Sequence, residues 1–256
     1  MTSRSVSVAS GVLGMHGRKV MRGIPHAIPP LLIPLFFYAA FAGALGGIGK
    51  TKGFSYYDYT AFQFIFVLYL CSAFCGVFTA LDIGGYYEQG MGRRLMLATP
   101  RRMAIVAGFL ASALIRAVVF MAAVWAIALA TGLDVRGGAL DIVGLLALGL
   151  LLTVATTLYG TGIGLRFQSK RAGGLVILPV YMAVFLTPVF TPRDQLTGWL
   201  KAVADVNPLT PVLESGRGFL AGEPVSVGLA FGVLGGLIVL TSFFAYTGMK
   251  KAEQKV

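Results

Sequence analysis

The chain has 256 residues, of which 57% are hydrophobic and only 12% charged, with a mean hydropathy of +0.81. A soluble domain carries about 25% charged residues, so this composition excludes an ordinary water-soluble globule and makes lipid the expected solvent. The net charge of +11 does not point to nucleic acid, because the basic residues fall in short clusters between apolar runs.

A helix needs about 20 mainly apolar residues to cross the hydrocarbon core. Six stretches qualify: 27–47, 60–81, 103–131, 142–165, 172–190 and 226–248. The expected fold is therefore all-α, a single polytopic domain over 1–256 with six transmembrane helices. The first span begins too deep in the chain, and is too long, for a cleaved signal peptide. Its lead-in, residues 1–26, carries Arg18, Lys19 and Arg22, which suit an amphipathic segment along lipid headgroups.

After the first span, Gly-Gly-Ile-Gly-Lys-Thr at 46–51, with Ala44 before it, fits a relaxed nucleotide-binding pattern, A-x-x-x-x-G-K-T. A phosphate-binding loop needs a strand before it and a helix N-terminus after it. Here an apolar run precedes the motif, an aromatic loop follows, and no apolar strand ending in Asp is present to hold magnesium. The match is chance, and the chain is expected to hold no nucleotide site of its own.

Span two carries Gln63, Thr79 and the only cysteines, Cys71 and Cys75, which are four apart and share one helix face. They are too few for a metal site and badly placed for a disulfide. The segment 82–102 after it is the most unusual in the chain, mixing Glu88, four glycines, two arginine pairs and Pro100. Met91, Leu95 and Met96 fall on one side of a short helix there, with Arg93 and Arg94 elsewhere on its surface. Such an amphipathic helix suits docking into a partner groove.

Arg116 lies about fourteen residues into span three, close to the bilayer centre at 1.5 Å per residue. Either it lines a cavity or dimer seam, or it is a structural arginine bonded to carbonyls or a polar neighbour; the second reading is favoured. No carboxylate is expected inside a span to pair with it. The same absence argues against a proton- or sodium-driven carrier, which usually shows an intramembrane Asp or Glu. An intramembrane enzyme is disfavoured too: His16 and His26 precede span one, and there is no H-E-x-x-H or Ser-His pair in the spans.

Span four contains Gly-Thr-Gly-Ile-Gly at 160–164, which lacks dinucleotide-binding spacing and is explained by close helix packing. Span five is short and holds Pro179 and Pro188, so it is expected to kink or stop short of a full crossing. Tyr159 and Tyr181, with Gln63 and Thr79, are polar points on apolar helices. They suit helix packing or, with Arg116, a translocation path. From Thr191 to Val225 the connection is long. Leu196, Trp199, Leu200, Val203 and Val206 recur there at helical spacing, and Asn207-Pro208 breaks the run. This predicts an amphipathic helix in an outer re-entrant or interfacial segment, 191–225.

With the N-terminus in the cytoplasm, fourteen Lys and Arg residues fall in cytoplasmic segments and six in outer ones, with Arg116 within a span. The positive-inside bias thus favours both termini in the cytoplasm.

The loop around Glu88 resembles the E-x-G-x-x-x-x-L-x-x-T-P-x-x-R pattern of permease subunits of type-2 ABC exporters, the group of daunorubicin-resistance permeases. The matching residues are Glu88, Gly90, Leu95, Thr99, Pro100 and Arg102, with some tolerance in spacing. The lead-in with its Pro-containing first span is similar to the family's, and Asn207, Pro208, Arg217 and Gly222 resemble the segment before its last span. The resemblance implies an inner-membrane export subunit that pairs with a second permease copy or a homologous permease, and docks on two separate ATP-binding subunits. ATP and magnesium would sit on those partners, with no cofactor on this chain. The coupling helix would involve Tyr87, Glu88, Gln89, Gly90, Met91, Arg93, Arg94, Leu95 and Pro100. The implied cargo is an amphipathic or hydrophobic compound, a drug, antibiotic or lipid-like molecule. The alternatives are a polysaccharide or lipid-linked glycan permease of the same architecture, or a membrane anchor with no transport role.

Overall fold

The computed structural model describes residues 24–45, 54–98 and 102–254, with isolated positions 11, 14 and 47. The lead-in up to residue 23, most of 46–51, and Thr99, Pro100 and Arg101 lie outside the described residues. The described chain is helical: α1 (Ile24–Leu45), α2 (Tyr59–Glu88), α3 (Met91–Ala98), α4 (Met103–Ala130), α5 (Ala139–Phe167), α6 (Gly174–Phe185), α7 (Gly198–Val206), α8 (Thr210–Ala221) and α9 (Val227–Glu253). Short 3-10 turns at Lys170–Gly173 and Arg193–Gln195 precede α6 and α7.

Four of these helices, α2, α4, α5 and α9, are long and apolar enough to cross a membrane. In α1 the described apolar stretch is Leu31–Phe41. The expected fifth span contains only α6, whose 12 residues rise about 18 Å, short of the roughly 30 Å hydrocarbon core. Pro179 sits inside it, and the chain leaves the helix at Phe185, before Pro188.

α2 is the hub. It is hydrophobic on every face, the signature of a helix packed all round, and 24 of its 30 residues are buried. Asp58 starts it by accepting the Ala61 N–H at 2.9 Å, an N-cap worth about 1 kcal/mol. The helix runs about two turns past the expected span end at residue 81, and so includes Asp82 and Glu88.

The glycine cluster of α5 decides how it packs. A Cβ on Gly160 would lie 2.8 Å from the Ala80 side chain and 3.0 Å from the Gly76 carbonyl. One on Gly164 would lie 3.0 Å from Ile83. In return, a Cβ on Gly76 would overlap Thr156 and the Thr157 backbone. Two residues along, Gly162 faces α9, where a Cβ on Gly248 would come 2.8 Å from the Gly162 carbonyl. Small residues let helix backbones approach where lipid supplies no hydrophobic drive. The close helix packing expected of the cluster is therefore a two-sided seam, with α2 on one flank and α9 on the other.

α2, α5 and α9 run parallel and α4 opposite to them, so the ends of α2, α5 and α9, the start of α4, and α3 meet at one end of the bundle. The opposite end carries residues 54–58, the α4–α5 loop and the segment from Phe190 to Ser226.

Candidate functional site

At the first end, α2 stops at Glu88 and Gly90 turns the chain with φ +74°, a conformation that favours glycine. The cap is made by the Gln89 N–H, which donates to the Gly85 carbonyl at 3.1 Å. The chain then enters α3, eight residues folded back on α2. Gly92 makes the return possible, since a Cβ there would come 2.6 Å from the Tyr87 ring. Met96 is buried in a cluster with Ile83, Tyr86, Ile105, Phe109 and Met249, and Leu95 packs partly against it. Arg93, Arg94, Met91 and Leu97 face outward, Leu97 with 74% of its surface exposed. The apolar side expected for α3 is thus divided: Met96 and Leu95 turn inward and Met91 turns out.

Glu88, expected on the docking surface, is exposed but already engaged. Its Oε1 accepts from the Ser169 hydroxyl at 2.7 Å and from the Lys170 backbone N–H at 2.9 Å. Gly84 and Gly85 let the turn come close: a Cβ on Gly84 would stand 2.6 Å from the Ser169 carbonyl carbon, and one on Gly85 2.5 Å from the Lys170 side chain. Beyond α3, Arg102 pairs with Glu253 of α9 at 3.3 Å. Pro100 lies outside the described residues.

Arg116 points from α4 to α2. Its Nη2 donates to the Cys75 carbonyl at 2.9 Å and to the Thr79 hydroxyl at 2.6 Å, and its Nη1 lies 3.7 Å from Asp82. The structural arginine expected from the sequence is found, but the expected absence of a carboxylate partner is overturned, because α2 extends beyond residue 81. Once the helix is known to run past residue 81, Cys75, Thr79 and Asp82, four and three apart, fall on a single face. Both cysteines are buried and free, as read.

At the opposite end, Gln63 is fully buried, and its Nε2 donates to Tyr59 Oη at 2.8 Å and to the Val189 carbonyl at 3.1 Å. Arg217 of α8, counted in the sequence among outer charges, is also buried. Its nitrogens donate to the carbonyls of Phe62, Pro188 and Val189 at 3.2, 2.7 and 3.3 Å, and its guanidinium lies 3.3 Å from the centroid of the Phe62 ring. Asn207 donates to the Ala183 carbonyl and accepts the Leu209 N–H, tying the start of α8 to the end of α6. α7 is the helix expected there and ends at Asn207. It buries Ala204 while Trp199 and Val206 are 71% and 80% exposed.

A cavity of about 770 Å³ opens at this end, with Arg217, Phe62 and Tyr56 on its wall and Arg193, Asp205, Glu214 and Lys201 around it. Arg193 pairs with Asp205 at 2.7 Å and with Glu214 at 3.6 Å. Burial pushes the Glu214 carboxyl up, and Arg193 and Arg217 pull it part of the way back. An apolar chamber of about 260 Å³, open to the surface at Pro179 and Leu240, lies among α2, α5, α6 and α9, with Tyr159 and Pro208 also on its wall. Tyr159 donates to the Leu175 carbonyl at 2.8 Å and stacks on Phe244. Tyr181 stacks on Phe185 and meets Phe74, away from the chamber's lining. The proposed path residues are spread over the bundle: Gln63 lies near the start of α2, Arg116 bonds to α2 at Cys75 and Thr79, Tyr159 stacks on Phe244, and Tyr181 packs on Phe74 and Phe185.

A family profile described as "ABC-2 type transporter" matches residues 10–220. The chain belongs to that family. It is a polytopic membrane protein and the membrane subunit of an ABC transporter, a type of subunit that is generally not itself catalytic. It is also 24% identical over 213 residues to the daunorubicin resistance ABC transporter permease protein DrrB1 of Streptomyces coeruleorubidus, covering 82% of this chain and 74% of that one.

Proposed function

We propose that this permease is the transmembrane half of an ATP-driven exporter, and that separate ATP-binding subunits dock on the outward side of α3. The observation that carries the reading is α3 itself. It is an amphipathic helix beyond the apolar spans, anchored by Met96 and Gly92, and it presents Arg93, Arg94, Met91 and Leu97 to a partner. ATP and magnesium would be held by those partners.

The α3 end would be cytoplasmic. Arg93, Arg94, Arg102, Arg166, Lys170, Arg171, Lys250 and Lys251 belong to it, an excess that favours the inner side. Both termini then lie in the cytoplasm, in the inner membrane, and α7 and α8 face outward. The cargo would be an amphipathic or hydrophobic compound, moved by a pair of permeases. The apolar chamber among α2, α5, α6 and α9 suits an apolar group, and the likeness to a drug-resistance permease points the same way.

The test is co-purification from membranes with a co-expressed ATP-binding subunit. Wild type should retain the subunit and hydrolyse ATP, and Arg93→Glu/Arg94→Glu should release it. A wild-type chain that retains no ATPase would sink the reading.

A further inference from the structure

We infer that Glu88 is a positioning residue, a latch that makes the base of α6 follow α3, and not a residue that contacts the ATPase. The inference rests on the exporter reading above. Three observations carry it. Glu88 Oε1 takes two hydrogen bonds from the turn between α5 and α6, from the Ser169 hydroxyl and the Lys170 N–H. Gly84 and Gly85, one turn earlier, form a notch for that turn where a side chain would strike its backbone or the Lys170 stem. And Tyr87, beside Glu88, holds Gly92 of α3. The end of α2 therefore grips α3 on one side and the base of α6 on the other.

The turn leads into α6, then to the Pro188–Val189 carbonyls held by Gln63 and Arg217, then to α7. A displacement imposed on α3 reaches the α5–α6 turn through a carboxylate with charge-assisted hydrogen bonds, the stronger kind. Without Glu88 the turn keeps only apolar and backbone packing on α2, at Gly84, Gly85 and Leu81, with no hydrogen bond from this carboxylate to make it follow.

The test uses the permease with its ATP-binding subunit in membranes. A single cysteine at exposed position 206 (Val206→Cys, in a Cys71→Ala/Cys75→Ala background) is labelled with a membrane-impermeant maleimide, without nucleotide and with ATP plus vanadate. Wild-type Glu88 should give a nucleotide-dependent labelling rate. Glu88→Gln and Ser169→Ala should lose that dependence while keeping the partner and its ATP hydrolysis. Ser169→Thr, which restores the hydroxyl, and Lys170→Ala, which keeps the backbone N–H, should retain it. Two results overturn the latch: Glu88→Gln releases the partner as the Arg93/Arg94 change does, or it leaves nucleotide-dependent labelling intact. A second arm separates this from failure of the exporter reading. Glu88→Cys/Ser169→Cys should be joined by a short bis-methanethiosulfonate whether or not an ATPase is bound. No cross-link with the partner retained refutes the latch; a cross-link with no partner ever retained refutes the exporter reading and leaves the contact standing.

Discussion

Gln63 of α2 and Arg217 of α8 donate hydrogen bonds to the same acceptor, the Val189 carbonyl, at 3.1 and 3.3 Å. Two distant parts of the chain thus clasp the turn that follows α6. Removing Arg217 takes a donor from the Phe62 and Pro188 carbonyls, leaves Val189 to Gln63 alone and deletes a cation–π contact. Unpaired buried acceptors cost about 1–3 kcal/mol each, so Arg217→Ala should cost more than Gln63→Leu. Thermal unfolding in detergent should rank them so, and the double variant should exceed the sum, because each single variant leaves the Val189 carbonyl its other donor and only the double leaves it with neither.

Arg116 and Asp82 make a second test. Truncating one member of a fully buried pair costs about 3–5 kcal/mol, and less where, as here, the carboxylate is partly exposed, whereas replacing both is milder still. Arg116→Met should therefore lower folded yield strongly, and Asp82→Asn in addition should recover part of it. Equal yields for the single and double variants would show that the pair is not coupled.

The glycines divide into two classes. Gly76→Ala should impair folding, since its Cβ would overlap Thr156 and the Thr157 backbone. Gly235→Ala, within α9 and with open space around it, should be neutral or gain up to about 1 kcal/mol, as Ala for Gly does in a helix. Expression and thermal midpoint measure both.

On α3, neighbours should behave oppositely. Met96→Ser places a hydroxyl in a site 1% exposed and should destabilise the permease, whereas Leu97→Ser at 74% exposure should leave the fold alone and weaken retention of the ATP-binding subunit. Monodispersity in detergent, set beside pull-down yield, distinguishes the two effects.

Glu214 gives a pH test. Burial holds its carboxyl above the ordinary 4.5 against the pull of Arg193 and Arg217, with Asp205 nearby adding to the rise. For an acid with a raised native pKa, the unfolded chain gives up its proton first. The stabilisation is then complete below pH 4.5 and is lost as pH rises through the native value. The thermal midpoint of wild type relative to Glu214→Gln should fall as pH is raised from 4.5; a difference independent of pH would remove Glu214 from the account.

The long helices, the break at Asn207, the short α6 and α3 were legible because each is written locally, in an apolar run, a proline or a periodic face. The partners of Arg116, Glu88 and Arg217 were not. Asp82 lies just past an apolar run that reads as complete at residue 81, and only the built helix shows that α2 continues. Ser169 and Lys170 sit in an ordinary polar turn, and nothing local to Glu88 names them. Arg217 is one basic residue in a loop by sequence, and its burial depends on the carbonyls of a turn nearly thirty residues earlier. Charges take their roles from what the fold brings to them, and periodicity carries no such information.

The glycine seam of α5 limits how this molecule can move. With Gly160 and Gly164 pressed on α2 and Gly162 pressed on α9, an axial shift of α5 by one residue would drive side chains into backbone on both flanks. Telescoping of one of these helices past another is therefore barred. α2, α5 and α9 are thus held in one axial register, like meshed teeth.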